Sequence, residues 1–278
     1  MNRKPVSLDY DFGSMSKKVS AGYSSEFGPG TSPTRPKEKL IKCIIAPFYD
    51  YDKSSPALAW AYKEIAESAI PDAYVIIGRC ESGFNTYLFG DWDTPFASMK
   101  INVELGKALI KKFPMLRNDA RPFVEDITIE RQLPCLQFAK RDSLDRVKFL
   151  PILIGDVNHD KLLEFAKVLG SIGSKISVIC SCNLTRYGRG FGYVPFVHGV
   201  KENLYNLDNN LIDHIVKLDS EAFYANAKQI PEKNVFVLGM EIVKSMGGTR
   251  GSLLNYYTSG DLDDNYNRSV GLGAIVFR

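Results

Sequence analysis

Residues 40–78 read LIKCIIAPFYDYDKSSPALAWAYKEIAESAIPDAYVIIG, and this stretch decides the fold class. It holds an apolar run at residues 40–47, a helix-like segment at residues 57–70 and a second apolar run at residues 73–78. This order predicts a strand, a crossover helix and another strand, the unit from which parallel sheets are built. We expect Ser55, followed by a proline, to be the N-cap of the helix.

The same alternation continues to the end of the sequence. The further apolar runs, each predicted to be a strand, are residues 147–155, 176–180, 235–239 and 272–277. The further predicted helices are residues 101–113 and 160–169 and a helical pair over residues 207–228. Because the runs are continuously apolar, both faces of each strand should be covered. The pattern predicts an α/β fold, a single domain with a mixed, mainly parallel sheet and helices on both faces.

The 278 residues have the composition of a globular protein, with 45% hydrophobic and 24% charged residues. Residues 1–36 are polar and rich in Lys, Ser, Gly and Pro, and we expect them to form a flexible leader. No linker follows, so we assign residues 37–278 to the α/β domain.

Several classes of protein are excluded by composition. The formal net charge of +3 is spread along the chain, which argues against nucleic acid as the partner. No apolar run approaches the roughly 18 residues needed to cross a membrane, and no secretory signal is visible. The five Cys residues have no zinc-type spacing and indicate free thiols in a reducing compartment. We therefore expect a cytoplasmic protein that binds neither nucleic acid nor membrane.

Candidate functional residues follow the apolar runs, because open α/β sheets bind ligands at the carboxyl ends of their strands. Polar and aromatic residues follow four runs, at residues 47–52, 79–82, 182–188 and 240–241. A fifth segment, residues 125–130, is expected to bring further carboxylates to the same edge.

These segments resemble the Memo proteins, called protein B of the AmmeMemoRadiSam system in prokaryotes and related to the class III extradiol dioxygenases. Residues 46–51 (APFYDY) stand where that family has Ala-Pro-His-Ala-Gly-Tyr, and residues 130–134 (ERQLP) resemble its Glu-Val-Gln-Leu-Pro. Residues 150–155 (LPILIG) are similar to Ile-Pro-Val-Leu-Val-Gly. The most specific match is residues 254–261 (LNYYTSGD), similar to Asn-Tyr-x-x-Ser-Gly-Asp. The resemblance covers nearly the whole chain and implies a Memo/extradiol-dioxygenase-like fold.

The resemblance also implies a metal site, but this chain carries other residues at each ligand position. The replacements are Phe48 and Glu81 for two His, Leu238 for a Cys, Asn183 for an Asp, and Arg186 for a further His. Non-haem iron sites need imidazole and carboxylate ligands, which Phe, Leu and Arg cannot replace. We therefore expect no metal and no other cofactor.

Two of these replacements carry opposite charges. A carboxylate buried in the pocket of the lost metal would need a compensating charge. We therefore predict that Glu81 and Arg186 form an ion pair there, with Arg79 close by.

We expect the strand ends to form a polar and aromatic pocket. Its predicted residues are Phe48, Tyr51, Glu81, Glu130, Asn183, Arg186 and Tyr187. The leading interpretation is a divergent Memo-like protein that has lost metal-dependent chemistry. It would act as a binding or scaffold module for a small ligand, a peptide or a protein partner, and it would have no catalytic residue.

Two alternatives stay open. The first is an oxidoreductase or hydrolase whose site is rebuilt around Glu81, either as a weak metal site with Asn183 and Glu241 or as an acid–base pair with Glu130. The second is a subunit of a larger assembly, in which the leader orders on a partner.

Overall fold

One mixed sheet organises the computed structural model of this chain, which describes residues 2–8, 11–31, 40–172 and 175–278. The strands are β1 (Cys43–Ala46), β2 (Ala73–Ser82), β3 (Phe84–Thr86), β4 (Lys100–Ile101), β5 (Leu116–Asn118), β6 (Lys148–Asp156), β7 (Ile176–Ser181), β8 (Arg186–Gly188), β9 (Ser252–Thr258) and β10 (Arg268–Phe277). Their order is β5-β3-β6-β2-β7-β1-β10-β8, with β4 beside β6 and β9 beside β10.

The centre of the sheet is parallel and one side of it is antiparallel. β6, β2, β7 and β1 run parallel to one another, whereas β10 is antiparallel to β1, β8 and β9. Every residue of β1 and β7 is buried, as expected for strands covered on both faces. The sheet is thus mixed and mainly parallel, as the sequence predicted.

Helices cover both faces of this sheet. They are α1 (Phe12–Ser24), α2 (Tyr51–Glu67), α3 (Val103–Lys112), α4 (Leu133–Ala139), α5 (His159–Gly170), α6 (Val200–Val216), α7 (Ser220–Asn226), α8 (Lys233–Ser245) and α9 (Gly260–Asp263). α2 packs on β1, β9 and β10, whereas α8 packs on β1, β2, β6 and β7. Among the helices of the described residues, none is both long enough and apolar enough for a membrane crossing.

The run at residues 235–239 is helical and not a strand, which corrects the prediction. It lies within α8, a helix in which nearly every residue from 234 to 243 is buried. A helix covered on all sides has no polar face, so its sequence shows the same unbroken apolar run as a buried strand. Gly239 is needed in this position, because a Cβ atom there would lie 2.5 Å from Cys180 Sγ on β7.

Helix α2 begins earlier than predicted, which corrects the assignment of Ser55 as its N-cap. Its N-cap is Asp50, and Pro56 lies inside the helix. Ser54 Oγ donates hydrogen bonds to the carbonyl oxygens of Tyr49 and Asp50, which secures the first turn. The proline therefore does not mark the start of the helix.

Part of the predicted flexible leader is packed on the domain. Helix α1 lies against α2, and its residues Met15 and Val19 are buried in the core. A Cβ atom on Gly22 would lie 2.1 Å from the carbonyl oxygen of Ser55, so the two helices approach closely. The expectation of flexibility is corrected for residues 2–8 and 11–31, while residues 1, 9–10 and 32–36 lie outside the described residues. The boundary at residue 36 stays a prediction.

Candidate functional site

The candidate site lies where β1 and β7 end side by side. Ala46 and Ser181 are paired across these parallel strands, so Phe48 and Asn183 leave the sheet at the same edge. Asn183 is 1% exposed, and its Oδ1 accepts a hydrogen bond of 3.1 Å from the backbone N–H of Phe48. The carboxyl ends of the two strands therefore bring these two residues together, as the sequence predicted.

The loop after β1 is fixed by the 3-10 helix Glu130–Gln132. Arg131 Nη1 donates to the carbonyl oxygen of Phe48 at 3.0 Å, and Arg131 Nη2 lies 2.9 Å from Asp50 Oδ1. The hydroxyl of Tyr51 donates to the carbonyl oxygen of Arg131 at 2.5 Å. Tyr51 thus supports the site through Arg131.

A buried ion pair occupies the centre of the site. Arg186 Nη2 lies 2.6 Å from Glu232 Oε1, and the two side chains are 21% and 3% exposed. The guanidinium carbon of Arg186 lies 5.6 Å from the ring centroid of Phe48, which is a cation–π distance. Burial raises the pKa of Glu232, and the charge and hydrogen bond of Arg186 act in the opposite direction. Glu232 Oε2 is buried and has no hydrogen-bond partner among the residues that the structure describes.

Glu81 is not the partner of Arg186, which corrects the predicted ion pair. The residues of β2 are buried as far as Gly78. After Gly78 the strand continues to Ser82 but is no longer buried, and both Arg79 and Glu81 are exposed. Glu81 lines a separate groove of about 980 Å³ together with Cys80 and Arg117, among others. Because water solvates this carboxylate, no buried counter-charge is required.

Glu130 and Tyr187 are also directed away from the centre of the site. Glu130 is 1% exposed and forms an ion pair of 2.7 Å with Arg3. Tyr187 donates to the carbonyl oxygen of Phe196 at 2.6 Å and stacks on the Phe196 ring with centroids 5.2 Å apart. Of the seven predicted residues, Phe48, Asn183 and Arg186 meet, Tyr51 supports them, and three lie elsewhere.

The residues present do not fit the transition-metal site that the resemblance implies. Phe48, Arg186 and the fully buried Leu238 offer no ligand atom, and the amide oxygen of Asn183 is engaged by the backbone. Burial raises the pKa of the Cys182 thiol well above its ordinary value, which disfavours the thiolate a metal would need. Within the described ranges, no group of three or more His, Cys, Asp or Glu side chains is placed to hold a metal ion.

Glu232 is the site residue that the sequence did not reveal. It immediately precedes α8, and the apolar run of α8 was predicted to be a strand. That assignment placed Glu232 before a strand, at the edge of the sheet opposite the candidate site. Only the recognition of α8 as a helix would have brought Glu232 toward Arg186.

The chain is similar in sequence to proteins of one known family. The family described as Memo-like protein matches residues 14–276. A MEMO1 family protein of Methanopyrus kandleri is 30% identical over 94% of this chain and 92% of that protein. Another, of Desulfurococcus amylolyticus, is 27% identical over 99% of this chain and 98% of that protein.

A solved structure shares the fold. The crystal structure of the uncharacterized protein JW3007 from Escherichia coli K12 matches with a TM-score of 0.52 over 85% of this chain and 99% of that chain. Its sequence identity of 11% extends the similarity to the fold alone.

Proposed function

This chain belongs to the Memo family, and we propose that it acts as a binding or scaffold module that has lost metal-dependent chemistry. One observation carries the proposal: the Arg186–Glu232 ion pair is buried beside Phe48 at the strand ends. The guanidinium occupies a place where the family resemblance implies a metal ligand. A divalent cation entering this space would meet a like charge.

The same geometry favours an anionic group as the ligand. Arg186 is 21% exposed and uses Nη2 for Glu232, so part of its side chain stays accessible to a ligand. Arg79 is exposed, and its charge opposes the burial that raises the pKa of Glu232, so Arg79 adds positive charge on this side of the molecule. Carboxylates and phosphates bind to such arginines with charge-assisted hydrogen bonds. The Phe48 ring supplies an apolar wall beside them.

We therefore propose that the site takes a carboxylate or phosphate carried by a small ligand, a peptide or a protein partner. The proposal includes neither nucleic acid nor membrane, and it places the protein in the cytoplasm.

Metal binding separates this proposal from the enzyme alternative. The protein is purified without chelator, its metal content is measured, and Fe²⁺, Zn²⁺, Cu²⁺ and Mg²⁺ are titrated by calorimetry. We expect no stoichiometric, saturable binding. Stoichiometric metal binding would establish the enzyme alternative if Glu81→Gln abolishes it. The control Glu125→Gln, in the same groove, should then still bind the metal.

The anion site is tested with phenyl phosphate and benzoate as probes. We expect saturable binding that Arg186→Gln weakens at least tenfold, while the nearby control Arg189→Gln leaves it unchanged. Equal binding by the two variants would refute the assignment of Arg186 as the anion-binding residue.

A further inference from the structure

Residues 2–8, the N-terminal segment, lie on the domain in the manner of a bound peptide. The backbone N–H of Arg3 donates to Asp91 O at 2.8 Å, and Asp93 N–H donates to Arg3 O at 2.9 Å. Arg3 and Trp92 thereby form a parallel β-bridge. Addition of an extended segment to an exposed backbone edge is a common mode of peptide recognition.

The Arg3 side chain is 7% exposed and lies against the buried ring of Trp92 and the backbone of the buried Phe123. Its Nε donates to Phe123 O at 2.8 Å, and its Nη2 donates to Asp126 O at 2.7 Å. The guanidinium carbon lies 4.1 Å from the ring centroid of Trp92. A ring contact together with acceptors for Nε, Nη1 and Nη2 matches a guanidinium, whereas the ammonium of lysine cannot satisfy all of these partners at once.

The Glu130 carboxylate binds both this side chain and the backbone that follows. Glu130 Oε2 accepts from Arg3 Nη1 at 2.7 Å and from the backbone N–H of Val6 at 2.8 Å. Oε1 accepts from the backbone N–H of Ser7 at 2.7 Å and from its hydroxyl at 2.8 Å. One buried carboxylate thus recognises an arginine and a serine four residues later.

We propose that Trp92, Phe123, Asp126 and Glu130 form a peptide-binding site, the Glu130 site, for segments of the form Arg-x-x-x-Ser. The chain's own N-terminal segment occupies the site in this structure, and the site binds the same segment when it is supplied by another molecule. All receptor groups belong to the domain, and all bound groups belong to five consecutive residues. The inference goes beyond the proposed function and uses none of the residues that bind the anion.

A cleavable chain tests whether the segment behaves as a ligand. A protease site replaces residues 9–10 between Leu8 and Asp11, and the chain is cut after folding. A dye-labelled peptide MNRKPVSL is then added, with a second peptide carrying citrulline in place of the arginine as the matched neutral control. We expect saturable exchange of the labelled peptide, with affinity at least tenfold higher than that of the citrulline peptide.

Three results would overturn the inference. The first is unfolding of the cut chain, which would make the segment an integral part of the core. The second is failure of the folded cut chain to bind the peptide. The third is equal affinity for the arginine peptide and the citrulline peptide.

Chemical rescue in the intact chain gives an independent test. Arg3→Ala is expected to lower the melting temperature, and ethylguanidinium is expected to restore it saturably by filling the vacated pocket. Two controls are ethylammonium added to Arg3→Ala and ethylguanidinium added to the wild-type chain. Neither should raise the melting temperature in a saturable way. An equal effect of the two cations on the variant would refute guanidinium recognition.

Discussion

Substitution of Asp208 by asparagine should stabilise this protein at neutral and alkaline pH. Asp208, on α6, is fully buried. Its Oδ1 accepts from the backbone N–H of Thr185 at 3.1 Å, and its Oδ2 accepts from the Tyr256 hydroxyl at 2.8 Å. Both partners are neutral, and burial raises the pKa of this carboxyl from 3.8 to about 6.

The sign and size of the effect follow from linkage. The folded state holds the proton of Asp208 more tightly than the unfolded state. The contribution of this carboxyl to the free energy of unfolding is therefore largest below about pH 4, where it is protonated in both states. It is lost as the pH rises through 6. A difference of about two pKa units corresponds to about 3 kcal/mol above pH 7. An amide keeps the bond from Thr185 and donates to Tyr256, whose hydroxyl loses its acceptor at a cost of about 1 kcal/mol. The expected net gain of Asp208→Asn is about 2 kcal/mol at pH 8 and close to zero at pH 4.5.

Urea unfolding, followed by circular dichroism at both pH values, measures this difference. The control is Asp213→Asn on the same helix, where Lys217 lowers the pKa of an exposed carboxyl. That variant should show a small loss at pH 8. An equal change in the stability of Asp208→Asn at both pH values, or no gain at pH 8, would refute the reasoning.

Three further changes test the packing and the site. Arg186→Ala leaves Glu232 buried without its counter-charge, and we expect a loss of about 2–3 kcal/mol in urea unfolding, because the Arg186 side chain keeps 21% of its surface in contact with water. Gly188→Ala places a Cβ atom 2.4 Å from a backbone oxygen at a φ of +127°, so the melting temperature of this variant should fall by several degrees. The control Gly190→Ala meets no atom within 4 Å, and its free energy of unfolding should stay within about 1 kcal/mol of wild type. Met15→Ala removes a core side chain of α1 and should cost about 2–4 kcal/mol in urea unfolding, and an unchanged free energy of unfolding would contradict this packing of α1.

The parallel centre of the sheet was predictable because its strands are short, apolar and separated by amphipathic helices. The runs at residues 40–47, 73–78, 147–155 and 176–180 each contain or begin a central strand. The carboxyl-end rule then placed Phe48 and Asn183 together without any structure. Local pattern identifies each strand, and the parallel arrangement then brings the ends of distant strands to one edge of the sheet.

Three features could not be predicted because they depend on contacts that sequence spacing does not encode. Periodicity cannot separate a fully buried helix from a buried strand, so α8 was misassigned. Glu81 and Glu232 both carry a carboxylate, and only the exposure of the end of β2 decides which one meets Arg186. The polar residues 2–8 carry no apolar pattern, since Arg3 is held by hydrogen bonds and by a ring contact.

The position of β1 has a consequence for biosynthesis. It lies between β7 and β10, and Cys43 pairs with Val178 on one side and with Phe277 on the other. A nascent chain on the ribosome therefore carries this strand with both edges open until much of the protein has been translated. Unpaired apolar edges associate with other chains, so the CIIA strand stays a site of such association until β10 has been translated.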